Sequence, residues 1–129
     1  MKKRPPANAD GWYDCLRKQV CECNLPDRYA ECFDYMTQET RDWWFDRINE
    51  CGVVSLEYGS FRVISNAFCS IDPDEAKGCY EDVNKQFMER VKQAASGALG
   101  PEENAAMEAA RKCIEPNISF CIAFPDNCM

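Results

Sequence analysis

Ten cysteines spread along 129 residues, without a single histidine, constrain the fold of this chain more than any other feature of its sequence. The even count permits five disulfide bridges with no thiol left over. Zinc sites usually contain histidine or cysteines spaced as Cys-x-x-Cys, and the sequence has neither. We therefore expect five bridges, whose pairing the spacing leaves open, among Cys15, Cys21, Cys23, Cys32, Cys51, Cys69, Cys79, Cys113, Cys121 and Cys128.

Bridges in this number are typical of proteins that fold in an oxidising compartment, which predicts a secreted, extracellular protein. Residues 1–4 have the basic start of a signal peptide, but prolines follow where its apolar stretch would be, so we expect a mature form. No apolar run is long enough for membrane insertion. The acidic net charge of −7 argues against nucleic acid and anionic membranes as partners, since both attract basic surfaces.

Apolar residues recur mostly at helical spacing, which predicts an all-α fold: a disulfide-stapled bundle of four to five helices with an extended C-terminal strap. Residues 1–9 are expected to form a flexible N-terminal segment, and residues 10–129 a single disulfide-rich helical domain. A first helix should run from about residue 10 to residue 23. Cys21 and Cys23 lie about 200° apart on such a helix, so we expect them to bridge to different partners.

Local signals place the starts and ends of the other helices. A second helix should begin at Pro26, and Thr37 or Thr40 should cap the next one. Residues 55–69 fit either a helix or a short strand, with the apolar spacing favouring the helix.

The clearest helix start is Asp72-Pro73-Asp74-Glu75, which combines an N-cap residue, a proline at the first helical position and an acidic residue at the third. This helix should end at Gly97. The last helix should begin at Pro101 and stop before Pro116.

The C-terminal residues change from a helical period to a period of two. Apolar side chains alternate along residues 118–124, which predicts the extended strap. Cys121 and Cys128 are expected to pin it to the bundle, with a turn at residues 125–127. Asn117 matches the N-glycosylation acceptor pattern, and a glycan there would place that edge of the strap in solvent.

The absence of histidine removes most acid–base and nucleophilic hydrolase mechanisms. A glycosidase that uses two carboxylates remains chemically feasible, but with 22 acidic residues such a pair arises by chance. The acidic residues 72–75 depart from the order of an EF-hand loop, so we interpret them as a helix cap. We therefore predict a non-enzymatic protein with no catalytic residue, no metal site and no cofactor.

Three consecutive aromatic residues, Trp43, Trp44 and Phe45, span about 200° of a helix and cannot all face one core. One interpretation is an interaction patch for a protein partner or for self-association, since large aromatic residues dominate binding hot spots. The other is that two helices enclose this segment and only its acidic flanks reach water.

A further set of apolar residues fits either the lining of a cavity for a lipid or small apolar molecule, or ordinary core packing. Core packing is the interpretation we favour, and a sequence cannot show a void. The set consists of Val83, Phe87, Val91, Phe61, Ile64, Phe68, Phe120 and Phe124.

The cysteine neighbourhoods follow a recognisable order: Cys15 and Cys21 in the first helix, then Glu31-Cys32-Phe33, Ala67-Phe68-Cys69 and Cys79-Tyr80-Glu81. In this spacing the chain resembles small secreted cysteine-rich α-helical proteins of arthropods and nematodes, from body fluids, venom glands and silk glands. The resemblance implies secretion and a helical fold, and it lends no catalytic residues.

These features predict a secreted non-enzymatic interaction protein, either an effector or toxin-like component or a constituent of a secreted material, which acts through a rigid surface. The alternative is an extracellular carrier that holds a small apolar ligand in the helical bundle. The carrier requires a dry pocket of roughly 300–1,000 Å³.

Overall fold

The computed structural model describes residues 12–124 and Cys128. The predicted flexible segment at residues 1–9 and the predicted turn at residues 125–127 lie outside the described residues. Within the described part the chain forms six α-helices and one π-helical turn, with no strand. The elements are α1 (Trp12–Arg17) with the π-helical turn Lys18–Glu22, α2 (Pro26–Asp34), α3 (Gln38–Glu50), α4 (Phe61–Ser70), α5 (Pro73–Ala95) and α6 (Pro101–Ala123).

The all-α, disulfide-stapled bundle is confirmed, with six helices instead of four to five. Local signals placed most helix ends correctly. Thr37 caps α3, its hydroxyl accepting a hydrogen bond from the Thr40 backbone N–H at 3.2 Å. Asp72 caps α5 in the same way, accepting from two backbone N–H groups at 3.1 Å each. Gly97 follows the end of α5 with a φ of 89°, a left-handed conformation that glycine adopts without strain.

The extended C-terminal strap is wrong, because α6 continues through Pro116 to Ala123. A proline inside a helix removes one backbone hydrogen bond and typically costs about 3 kcal/mol. One disulfide on each side of Pro116 fixes α6 to the bundle: Cys113 bridges to Cys32, and Cys121 bridges to Cys15. The buried Ile118 and Cys121 lie three residues apart, so they share one face of a helix, whereas an extended strap would point them to opposite sides.

All ten cysteines form disulfides, and each bridge joins different parts of the chain. Cys21 and Cys23 have different partners, as their spacing predicted, and three cysteines of the N-terminal helical region bridge to α4, to α6 and to the C-terminal end. The five pairs are Cys15–Cys121, Cys21–Cys69, Cys23–Cys128, Cys32–Cys113 and Cys51–Cys79.

The core consists of two apolar clusters. The larger one lies between α2, α3, α4 and α5 and contains Phe33, Met36, Phe45, Ile48, Ile64, Cys79 and Val83. The smaller one joins α1 and α2 to α6 and contains Cys15, Val20, Tyr29, Ile118 and Cys121. The helix α2 packs against both α4 and α6 and contributes to both clusters, through Phe33 and Tyr29.

Candidate functional site: a cavity inside the bundle

A cavity of about 370 Å³ lies inside the bundle, and all six helices contribute to its walls. Six of the eight residues in the apolar set predicted from the sequence line it: Phe61, Ile64, Phe68, Val83, Phe87 and Val91. Ile64 and Val83 also belong to the larger apolar cluster, and Phe61, Phe68 and Phe87 pack against it, so most of the predicted set contributes both to the core and to the wall of this cavity.

The other two members of that set, Phe120 and Phe124, do not line the cavity. They stack on each other with ring centroids 5.1 Å apart, and Phe124 is 56% exposed. The reason is the helical course of α6, which places residues four apart on the same face of the helix.

The rest of the wall is also predominantly apolar. It includes aliphatic residues such as Leu16 and Ile114, the thioether of Met107 and the disulfide between Cys21 and Cys69. Flexible and polarisable sulfur groups adapt to ligands of irregular shape. A surface of this kind favours an apolar guest and gives water few hydrogen-bond partners.

The π-helical turn brings part of the N-terminal region to the cavity wall. Val20 and Cys21 lie in this turn and both line the cavity. The turn is supported from inside by Gln19, which is fully buried and accepts a hydrogen bond from the Tyr29 hydroxyl. Short π-helical turns inside helices frequently occur at functional sites.

Charged side chains are present at two places in the cavity wall. On α6, the Arg111 guanidinium forms ion pairs with Glu108 at 2.7 Å and with Glu115 at 3.1 Å. On α1, the Arg17 guanidinium donates hydrogen bonds to the Tyr13 hydroxyl and to the Phe68 backbone carbonyl, each at 3.1 Å. The two arginines therefore have different surroundings, one enclosed by carboxylates and one bonded only to neutral groups.

A buried carboxylate holds one end of the cavity together. Glu103, near the start of α6, is 5% exposed and accepts hydrogen bonds from the hydroxyls of Thr37, at 2.8 Å, and of Thr40. Arg90 on α5 in turn donates to the Thr40 hydroxyl at 3.1 Å. This network joins α3, α5 and α6 next to Asn104, which lines the cavity. Its role is structural, since every group in it bonds to another helix.

Two tyrosines of the cavity wall provide a pH-dependent test of this packing. Burial raises the pKa of Tyr29 to about 12, and burial together with the charge of Glu81 raises the pKa of Tyr80 to about 12. An unfolded tyrosine ionises at about pH 10, so the protonated hydroxyls add stability that is complete below pH 10 and is lost as pH rises towards 12.

We expect an ultraviolet titration of tyrosinate to show a late step near pH 12 that shrinks in Tyr29→Phe and Tyr80→Phe. Tyr35→Phe is the matched control, because Tyr35 is 51% exposed. Loss of the late step in the control variant, or an undiminished late step in both wall variants, would contradict the assignment.

The predicted aromatic patch does not form one surface. Phe45 is fully buried in the larger apolar cluster, so assigning it to an interaction patch is wrong. Trp43 and Trp44 are partly buried and pack on Phe87, with ring centroids 5.9 and 4.9 Å away. Trp44 also lines the cavity. The segment is thus enclosed between helices, as the second interpretation of the sequence had it.

The remaining predicted residues lie away from the cavity. Asn117 is on α6, where its side-chain amide donates to the Cys113 carbonyl at 3.3 Å, and its glycosylation stays a prediction. Asp72 acts as the helix cap described above. Among residues 12–124 and Cys128, no group of three or more potential ligands could hold a metal ion. None of the helices in the same part of the chain combines the length and the apolar character needed to cross a membrane.

Several residues of the site were missed by sequence reasoning. Tyr29 and Tyr80 fit the apolar spacing of their helices, but nothing marked them as cavity residues. Arg17 was not singled out at all, because the direction in which it faces depends on how its helix docks against the others. The apolar set itself was found through its spacing. No family model matches this sequence, and no curated protein or solved structure is significantly similar to it.

Proposed function

We propose that this protein is an extracellular carrier that holds a small apolar ligand in the cavity of its bundle. The observation that carries the proposal is the cavity itself, whose volume of about 370 Å³ lies within the usual range of ligand sites, roughly 300–1,000 Å³. With about 30 Å³ for each water-sized group, it has room for roughly a dozen non-hydrogen atoms.

The chemistry of the cavity supports this proposal. Its wall is predominantly apolar, and it is partly open to solvent where the exposed side chains of Met88 and Arg111 line it. An apolar guest would cover apolar surface that otherwise faces water, a gain of about 25 cal/mol per Å². The five disulfides stabilise the protein in the absence of a guest.

The interaction-protein hypothesis has less support. It depended on Trp43, Trp44 and Phe45 as anchors, and these side chains contribute to the core and to the cavity wall. The disulfides fit a secreted, stabilised protein under either hypothesis. No contact in the described part of the chain favours a particular protein partner.

We expect the oxidised protein, freed of co-purified lipid by solvent extraction, to bind decanol with a dissociation constant on the order of 1–100 μM. Burial of each methylene contributes about 0.8 kcal/mol, and the loss of motional freedom opposes binding. Titration calorimetry measures the affinity. The fluorescence of Trp44 in the cavity wall provides an independent readout.

A cavity-filling variant makes this test specific. Ala110 lines the cavity on α6, so the ring of Ala110→Phe should occupy much of the void and weaken decanol binding at least tenfold, which corresponds to about 1.4 kcal/mol. Ala105→Phe is the matched control, because Ala105 is exposed on the same helix and does not line the cavity. No binding by the unaltered protein, or equal binding by Ala110→Phe, would refute the carrier function.

A further inference from the structure

The charges in the cavity wall indicate what kind of apolar ligand the cavity accepts, an inference that rests on the carrier function proposed above. The four charged residues of the wall are Arg17, Glu108, Arg111 and Glu115. Arg111 lies between the two glutamates, so this group carries one more negative than positive charge. That part of the wall repels an anion.

Arg17, in contrast, bonds only to neutral groups and forms no ion pair with a carboxylate of the described residues. Its side chain is partly buried, and its two hydrogen bonds, to the Tyr13 hydroxyl and the Phe68 carbonyl, both start from one terminal nitrogen. A guanidinium has five N–H donors in a planar fork, so three donors remain without a partner among the described residues. No carboxylate of the described part lies within ion-pair distance of it.

The unused donors of Arg17 are accessible from solvent, because none of them is among the buried side-chain atoms that lack a partner. An incoming anion can therefore reach this edge of the guanidinium directly. The planar fork matches a carboxylate, to which it donates two parallel hydrogen bonds. An anionic group on the ligand would supply the missing counter-charge.

Tyr80 adds a second donor to the same part of the wall. Its ring packs against Tyr13, with centroids 5.3 Å apart, and Tyr13 in turn accepts a hydrogen bond from Arg17. Tyr80 lines the cavity, and its hydroxyl bonds to no other described residue. Burial raises the pKa of Tyr80 to about 12, so this hydroxyl remains a protonated donor at every physiological pH.

We propose that the ligand is an aliphatic monocarboxylate with a chain of roughly ten carbons, whose carboxylate binds the Arg17 guanidinium while its chain fills the cavity. Arg17 then sets the orientation of the ligand, with the polar end at α1. The paired Arg111 takes no part in binding the carboxylate.

The first test compares three ligands of equal chain length on the full, oxidised protein: decanoate, decanol and decylamine. We expect decanoate to bind roughly tenfold or more tightly than decanol, the usual gain from a hydrogen bond to a charged group, and decylamine to bind most weakly. The net charge of −7 by itself favours the amine, so a preference for the acid reports a local cation.

The second test locates that cation. In Arg17→Gln the affinity for decanoate should fall roughly 10- to 100-fold, to the level of decanol, while the affinity for decanol changes less than about threefold. Lys112→Gln is the matched control, because it removes one positive charge from an exposed residue that does not line the cavity, and it should leave the preference for the acid intact.

The outcomes separate the two proposals. If decanol binds and decanoate binds no better, the carboxylate ligand is refuted and the carrier function stands. If none of the three ligands binds, the carrier function itself fails. If Arg17→Gln keeps the acid preference, or Lys112→Gln loses it to the same extent, Arg17 is refuted as the binding group. If Arg17→Gln does not fold, because its bond to the Phe68 carbonyl is lost, the three-ligand comparison on the unaltered protein still decides the ligand class.

Discussion

Reduction of the five disulfides should unfold this protein at room temperature without denaturant. A disulfide bridge typically contributes about 2–4 kcal/mol to the free energy of unfolding. The contributions overlap, but those of five bridges together equal most of the usual net stability of a domain, about 5–15 kcal/mol, or exceed it. The cavity makes the loss more serious, because the core around it is incompletely filled.

The measurement is circular dichroism of the protein after reduction and alkylation of its thiols, compared with protein treated identically without reductant. We expect the near-ultraviolet signal of the aromatic core and the cooperative thermal transition to disappear. A reduced, alkylated chain that kept its transition within a few degrees of the oxidised protein would show that helix packing alone stabilises the bundle.

Individual bridges should differ in their effect. Cys15–Cys121 spans 106 residues and Cys51–Cys79 spans 28. If the bridges act by restricting the unfolded chain, replacing the first pair with serine should cost about 1 kcal/mol more than replacing the second. Equal effects would indicate that contacts in the folded state matter more than the length of the closed loop.

Replacing Phe45 with alanine should lower the free energy of unfolding by about 3–5 kcal/mol, the usual range for a buried aromatic residue. Phe45 is fully buried, and its ring packs against Phe33 and Tyr58, with centroids 6.4 and 6.0 Å away. The substitution removes this packing and leaves a second void next to the existing cavity. Chemical denaturation of the oxidised protein measures the effect.

The matched control is Tyr35→Ala, which removes an aromatic ring that is 51% exposed. Its cost should be within about 0.5 kcal/mol, as is usual for surface substitutions. If Phe45→Ala cost less than about 1 kcal/mol, the larger apolar cluster would not be centred on this residue, and the surface interpretation of the aromatic segment would return.

Sequence reasoning succeeded where the determinants of structure are local. The caps at Thr37 and Asp72 depend on residues two or three positions away. The cap at Asp72 was predicted correctly, and Thr37 is one of the two residues between which the sequence left the start of α3 open. The different partners of Cys21 and Cys23 followed from helix geometry alone. The pairing itself depends on which helices become neighbours, and spacing contains no information about that.

The same limit explains the two main errors. Pro116 and the alternating residues after it are local signals for the end of a helix, but the bridges at Cys113 and Cys121 and the burial of Ile118 favour a continuous helix. For the cavity, spacing identified most of the wall, whereas the presence of a void depends on how closely the helices approach. Arg17 could not be identified from the sequence, because nothing local distinguishes it from an ordinary surface arginine. Its position in the cavity wall depends on the packing of α1 against α4.

The order of the bridges along the chain has a consequence for survival in a fluid rich in proteases. Cys15–Cys121 and Cys23–Cys128 overlap and together enclose every peptide bond from residue 15 to residue 128. A single cut anywhere in that interval, for example in the largely exposed segment at residues 52–60, leaves both fragments covalently joined. Hydrolysis of one peptide bond adds one water molecule and removes no atom from the protein. Because the bridges remain, both fragments stay attached to the bundle. Degradation of this protein therefore has to begin with a reductase or with several cuts in the same molecule.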